Sequence, residues 1–230
     1  MGTTLDLDSL LDQTFYGLDT LSMLGDVEDF LEFSQSNIGW QKHRELQRAQ
    51  KECDDMGFDD PQSEVQYRDH MLEGVEYRFE VSLTQRVRYA ALIALITTIE
   101  WVLLALKKRA TFDFPEQSKK RKKQNEAVYI LTVFNDKTKL GLESKIQFLE
   151  YLIYTRNCIV HAAGLLDSYE HGEELRNNIV AMPGLRISDI HFLGDGIEIE
   201  SGFLEDFIKD VRLWLPTIER VGTVQRLLRK

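Results

Sequence analysis

Between Tyr89 and Leu106 the chain is almost continuously apolar, broken only by Thr97-Thr98 and Glu100, and it stops at Lys107-Lys108-Arg109. A run of that length and character has two outcomes. It crosses a bilayer, or it is a helix covered by protein on most of its faces. Glu100 near the middle is costly in lipid, and no second span accompanies it. The expectation is a buried helix, in a bundle core or a subunit interface, with no membrane partner. A membrane-associated regulator using residues 89–106 stands as the alternative. If the run is buried, the rest of the chain must supply helices to cover it.

The rest does read as helical. Leu10, Leu11, Phe15, Leu18, Leu21 and Leu24 recur at helical spacing over about residues 5–33, with Gly25-Asp26 as an interruption. Residues 40–53 read as a second, charged helix. Residues 54–61, Asp-rich and closed by Pro61, are the best linker. A long helical stretch follows over 63–109, with Gly74 its weak point. Residues 111–124, including Pro115, read as a loop. Residues 125–134 form a short helix, and 142–163 a longer one carrying Ile146, Phe148, Leu149, Leu152 and Ile153. Gly194-Asp195-Gly196 lies between β-prone runs and predicts a small hairpin over 186–200. A terminal helix over 203–229 contains Pro216, a candidate kink. The expected architecture is all-α: an antiparallel helical bundle with an extra N-terminal helical segment and a small β-hairpin before the last helix. Residues 1–60 form an acidic extension, and 61–230 the helical domain.

Charge is unevenly placed. The net charge is −10, yet residues 1–80 hold 19 acidic and 6 basic side chains, leaving 19 acidic and 22 basic for the remainder. A polyanion-binding function therefore belongs in the later, mildly basic part. The acidic part is a solvated helical layer, or it lies over the basic part and competes with a polyanion. The two cysteines, Cys53 and Cys158, have no metal-ligand spacing. Cys158 sits in an apolar helix, as a buried free thiol does. A reducing, cytoplasmic compartment is the expectation, and the acidic Met1–Asp12 lacks the basic start of a secretory signal. His43, His70, His171 and His191 are scattered, so no metal site is expected, and no cofactor fingerprint is present.

The chemistry concentrates at Arg156-Asn157-Cys158-Ile159-Val160-His161, followed by Ala162-Ala163-Gly164. Gly164 is a natural residue just past a helix C-terminus, which puts His161 in the last turn. At ~100° per residue Asn157 and His161 share a face and Arg156 lies about 140° around from His161, so one helix can show Asn157 and His161 to a cleft with Arg156 reaching in from the flank. An always-charged guanidinium stabilises the negative charge gathered in a phosphoryl transition state. An imidazole moves protons near neutral pH. RNA brings its own nucleophile, the 2′-OH, so Arg with His is enough for internal transesterification, leaving a 2′,3′-cyclic phosphate and a 5′-OH. The same two residues at a helix C-terminus also favour the macrodipole and bind the last carbonyls, which is a purely structural use.

The motif, on the penultimate long helix of a helical chain, resembles the Arg-polar-x3-His motif of the HEPN superfamily, over roughly residues 80–220. That resemblance implies a helical bundle and, in many members, a metal-independent endoribonuclease of toxin–antitoxin, phage-defence or RNA-processing systems. It implies that Arg156 and His161 are the catalytic pair, with Asn157 the polar position. It also implies that two copies of the motif meet across a homodimer interface in one composite cleft. RNA is then the substrate, and an antitoxin or other regulatory protein a further partner. Members modified by a nucleotidyltransferase antitoxin carry Tyr two residues after the motif His. Ala163 stands there in this chain, so that mode of control is not implied. A non-catalytic dimerisation or binding module of the same kind is the alternative function.

Three other features bear on such a site. Lys119, Lys120, Arg121, Lys122 and Lys123 form the one basic block, either an RNA-binding loop beside the cleft or a solvated loop. Glu100 needs a partner in its apolar helix. Arg156 is one candidate, in a supporting role that orients the guanidinium; an exposed edge position or another partner is the other reading. Tyr151 and Tyr154 flank the motif and serve core packing or base stacking.

Overall fold

A computed structural model describes residues 7–110, 112–115, 124–189 and 194–227, with the helical backbone alone for 7–18 and 222–227. The basic block Lys119–Lys123 and His191 lie outside the described residues. The chain is mostly helical, in the order α1 (Leu7–Met56), α2 (Pro61–Glu76), α3 (Thr84–Arg109), α4 (Glu126–Thr138), α5 (Glu143–Ala162), α6 (Gly172–Val180), β1 (Leu185–Ser188), β2 (Gly196–Ile199) and α7 (Phe203–Leu227). A π-helical turn, Tyr77–Leu83, joins α2 to α3 without a break, and a single 3₁₀ turn, Leu166–Ser168, follows α5.

The apolar run becomes α3, the helix around which the others pack. Ala91, Leu92, Leu95, Ile96, Ile99, Val102, Leu103 and Leu106 are buried in one cluster with side chains of α1, α4, α5, α7 and the hairpin. Although the continuous helix Pro61–Arg109 has the length and hydropathy to cross a membrane, 56% of its apolar window is buried inside the fold. Helix α7 covers α3 with a regular stripe: Phe203, Leu204, Phe207, Ile208, Val211, Trp214, Leu215 and Ile218. Pro216 lies inside α7 without ending it.

The N-terminal region departs from expectation. Instead of two helices over 5–33 and 40–53 there is one, α1, continuous through Gly25 and Gly39. Glycine weakens a helix by only about 1 kcal/mol, and tertiary contacts hold this one on both sides of each glycine. Leu24, Val27 and Leu31 join the main core. Arg212 of α7 crosses beside Gly25 and pairs with Glu28 at 2.7 Å. Further on, Lys42 pairs with Glu80, and Asp54 with Arg68 at 3.2 Å, so α1 runs antiparallel to α2 and the π turn. Residues 57–60 make a tight reversal. Gly57 takes φ +59°, and the Asp60 carboxylate caps α2 by accepting from the backbone of Gln62 and Ser63. The Ser63 hydroxyl and these backbone bonds hold the Asp60 carboxyl below its usual range.

The hairpin forms near its expected place, in antiparallel register Leu185↔Ile199 to Ser188↔Gly196. Polar side chains of α3 satisfy the outer edge of β2. The buried Gln85 amide donates to the Ile199 carbonyl at 2.9 Å and accepts from the Ile199 N–H at 3.0 Å. Arg88 donates to the same carbonyl at 2.7 Å, and the Tyr89 hydroxyl to that of Ile197. An edge closed in this way cannot recruit another strand.

Candidate functional site

Helix α5 begins where α4 ends, and buried Asn135 sets the join. Its side-chain oxygen accepts from the Leu142 N–H at 2.8 Å, while its amide donates to Glu143 at 2.8 Å. Lys139 turns the chain in the left-handed region at φ 57°. From there Leu149, Leu152, Ile153, Cys158 and Ile159 bury one side of α5 in the core.

The helix ends one residue earlier than Gly164 alone implies. Ala163 takes the left-handed cap position at φ 52°, followed by Gly164 at φ 83°. Gly164 is required there for a second reason. A Cβ on it would lie 2.5 Å from the Tyr89 hydroxyl, and its carbonyl accepts from the Ile197 N–H at 2.9 Å. The small residues after His161 are where β2 and Tyr89 close against the end of the motif helix.

Arg156 turns toward α3. Its Nη2 donates to Glu100 Oε1 at 2.7 Å, with the two side chains 19% and 21% exposed. Asn125, the N-cap of α4, donates from Nδ2 to the same Glu100 oxygen at 3.0 Å while its own oxygen accepts from the Ala127 N–H. One carboxylate thus joins α3, α4 and α5 and fixes the direction of the guanidinium. Arg156 Nε is buried and lacks an acceptor among the described residues.

Asn157 and His161 point elsewhere, onto the face shared with Glu150 and Tyr154. The Asn157 side chain bonds to the Tyr169 hydroxyl. His171 lies edge-on to Tyr154 and Tyr169, with ring centroids 5.9 and 5.8 Å away. Burial raises the Tyr154 and Tyr169 hydroxyls above their usual range, with the nearby Glu174 and Cys158 adding respectively, and Asn157 partly offsetting the effect at Tyr169. Burial, then Glu174, also raises the Glu150 carboxyl. His161 itself is exposed in the last turn, with no hydrogen bond or ion pair among the described residues. Cys158, between the two motif ends, is pushed up to about 11 by burial and supplies no thiolate at neutral pH.

Within one copy, therefore, Arg156 and His161 do not converge on a single point. Arg156 faces Glu100, and His161 stands free on the adjacent face. Exposed Val160 lies between them, with exposed Trp101 and Leu104 on α3 next to Glu100. Tyr169 also lines a cavity of about 410 Å³ together with Asp167, Glu170, His171, Glu173 and Glu174, a surface that repels phosphate. Tyr151 is half-buried against the core and accepts from Gln147 at 2.8 Å.

The periodicity of α5 does not reveal Asn125, Tyr169 or His171. Asn125 carries a signal in hindsight, an Asn immediately before an apolar helix, the usual capping residue. Tyr169 and His171 carry none, because they lie in a short irregular connection. Compared with family models, curated proteins and solved structures, the chain finds no match.

Proposed function

We propose that this chain is a metal-independent endoribonuclease of the HEPN kind, acting as a homodimer, with Arg156 and His161 as its catalytic pair. The observation that carries the reading is the arrangement around Arg156. Its guanidinium is oriented by a carboxylate that is itself held by Asn125. A pre-oriented cation and an exposed imidazole, brought to one phosphate, are what phosphodiester transesterification needs. Arg156 stabilises the charge on the non-bridging oxygens. His161 takes the 2′-OH proton or protonates the departing 5′-oxygen. Asn157, the polar position of the motif, is held by the Tyr169 hydroxyl on the His161 face.

Because Arg156 and His161 face different ways in one copy, a second copy is required to complete the cleft. Val160, Trp101 and Leu104 are the exposed apolar side chains beside the motif that such a partner would cover. The block Lys119–Lys123 would add phosphate contacts without sequence preference. By the resemblance, the biological setting is a cytoplasmic toxin-like or phage-defence nuclease, held in check by an antitoxin or other regulator. A specific observation favours the second reading, a non-catalytic HEPN-like module: the Arg156–Glu100 pair is complete without any substrate.

Incubating the purified protein with RNA in EDTA separates the two. A nuclease of this kind should leave fragments ending in 2′,3′-cyclic phosphate and 5′-OH. Cleavage strictly dependent on added divalent metal, or none at all, contradicts it.

A further inference from the structure

Helix α1 buries Leu24, Val27 and Leu31 on one side and leaves three aromatic rings in solvent on the other. Phe30, Phe33 and Trp40 are 43%, 73% and 59% exposed. At ~100° per residue they fall within about 80° of one another, Phe33 and Trp40 opposite the buried stripe and Phe30 toward its edge. Within residues 26–51 the charges on the same strip are sorted by sign, and Asp55 beyond them is acidic. Asp26 and Asp29 precede the aromatics, and Arg44 and Lys51 follow them, all exposed. Between Phe33 and Trp40 the strip narrows to Ser36 and Asn37. Neither Asp26 nor Asp29 has an ion pair among the described residues. Arg44 rests over its own Trp40 ring at 5.2 Å, with Glu45 no nearer than 3.9 Å.

This pattern complements itself in one orientation. Lay two copies of α1 antiparallel, with a two-fold axis passing between Ser36 and Asn37. Phe33 then falls opposite the second copy's Trp40, and Asp29 opposite its Arg44. Ser36 meets Asn37 at the axis, where small side chains let the helices approach. Each pairing occurs twice, as an isologous interface requires. A parallel arrangement sets Asp29 on Asp29 and Arg44 on Arg44, and fails. The paired segment, residues 26–47, is ~33 Å long at 1.5 Å per residue.

We propose that the outer face of α1 is a self-association surface on which a second copy of this chain docks antiparallel, Phe33 against Trp40 and Asp29 against Arg44. The surface is separate from the Arg156–His161 region and does not rest on the ribonuclease reading. If the motif helices also pair, α1 joins those pairs into larger assemblies.

Sedimentation of the full chain at micromolar concentrations tests this, with circular dichroism confirming the helical fold of each variant. Asp29→Arg and Arg44→Asp each set like charges face to face at both ends, and each should weaken association about tenfold or more. Mixing the two variants one to one should restore it. One copy then carries arginine at both positions and the other aspartate at both, so every facing pair is opposite in sign. The double variant D29R/R44D should restore association as well. Trp40→Ala should weaken it without rescue by either charge variant. Asn37→Cys should form a linked dimer on mild oxidation, since Cys53 and Cys158 are buried. The proposal is overturned if the wild-type chain is monomeric, if single reversals sediment like wild type, or if the mixture fails to recover. Association that survives every α1 variant belongs to another surface; it overturns this proposal and leaves the ribonuclease reading to its own RNA assay.

Discussion

Arg156 is tied down before any substrate arrives, and His161 is not tied down at all. That contrast makes their variants separable. His161→Ala removes an exposed side chain with no partner among the described residues, so stability should change by less than ~0.5 kcal/mol, while RNA cleavage falls by ~10²–10⁴. Arg156→Ala should lose activity to a similar degree and also stability, about 1–3 kcal/mol, because Glu100 is left with Asn125 alone in a mostly dry site. Arg156→Lys should recover part of the stability but not the activity, since an ammonium lacks the planar fork. Thermal melts beside single-turnover cleavage check all three. If both alanine variants stay folded and active, the motif is structural. Helical spacing alone made part of this legible. It puts Asn157 with His161 on one face and Arg156 on another, as the structure has them. It leaves the partner of Glu100 open, because periodicity places a residue on its own helix and says nothing of which helix lies opposite. The answer depends on Asn125 and Arg156, 25 and 56 positions away.

At the scale of elements, the end of α5 is where local preference and tertiary packing meet. Gly164 combines a positive φ with a ring pressed against the place a Cβ would occupy. Gly57, at the α1–α2 reversal, has a positive φ and open space around it. Gly57→Ala should therefore cost about 1–2 kcal/mol, the left-handed penalty alone. Gly164→Ala should cost a further ~1–3 kcal/mol for displacing Tyr89, and should loosen the hairpin held by Tyr89 and Ile197. Denaturant titration of the two variants gives the comparison; equal costs would mean that Tyr89 yields freely. Glycine placement makes the helix stop legible and puts the hairpin near its place, but Gly196 begins β2, paired with Ser188, instead of turning the chain. The continuity of α1 was not legible, because a helix through two glycines depends on what it packs against. The π turn at Tyr77–Leu83 and the short α6 also left no periodic trace, being a phase adjustment and a two-turn helix.

For the molecule as a whole, the first and last helices meet at a contact that should respond to pH. Glu219 on α7 accepts from Thr20 on α1 at 3.0 Å. Burial raises its carboxyl to about 6, with Thr20 and Arg109 opposing and Asp19 adding. A carboxyl whose folded value is raised binds its proton more tightly in the folded state. Its contribution is most favourable below the unfolded value near 4.5, and is lost as pH rises through about 6. The group is partly solvated, so the loss is at most ~1 kcal/mol. Glu219→Gln should flatten stability between about pH 4.5 and 6.5 and raise it modestly above about pH 7. An unchanged pH profile in urea melts would remove Glu219 as the cause. The assembled molecule is also where the proposed activity resides, since one copy turns Arg156 and His161 apart. The most direct test sets wild type against His161→Ala on one RNA, in EDTA, with end groups mapped and both proteins shown to be folded. Wild type should leave cyclic-phosphate ends, and the variant should be slower by at least ~10². Equal cleavage by the two, or a wild type that leaves RNA intact, would contradict the assignment of Arg156 and His161 as a catalytic pair.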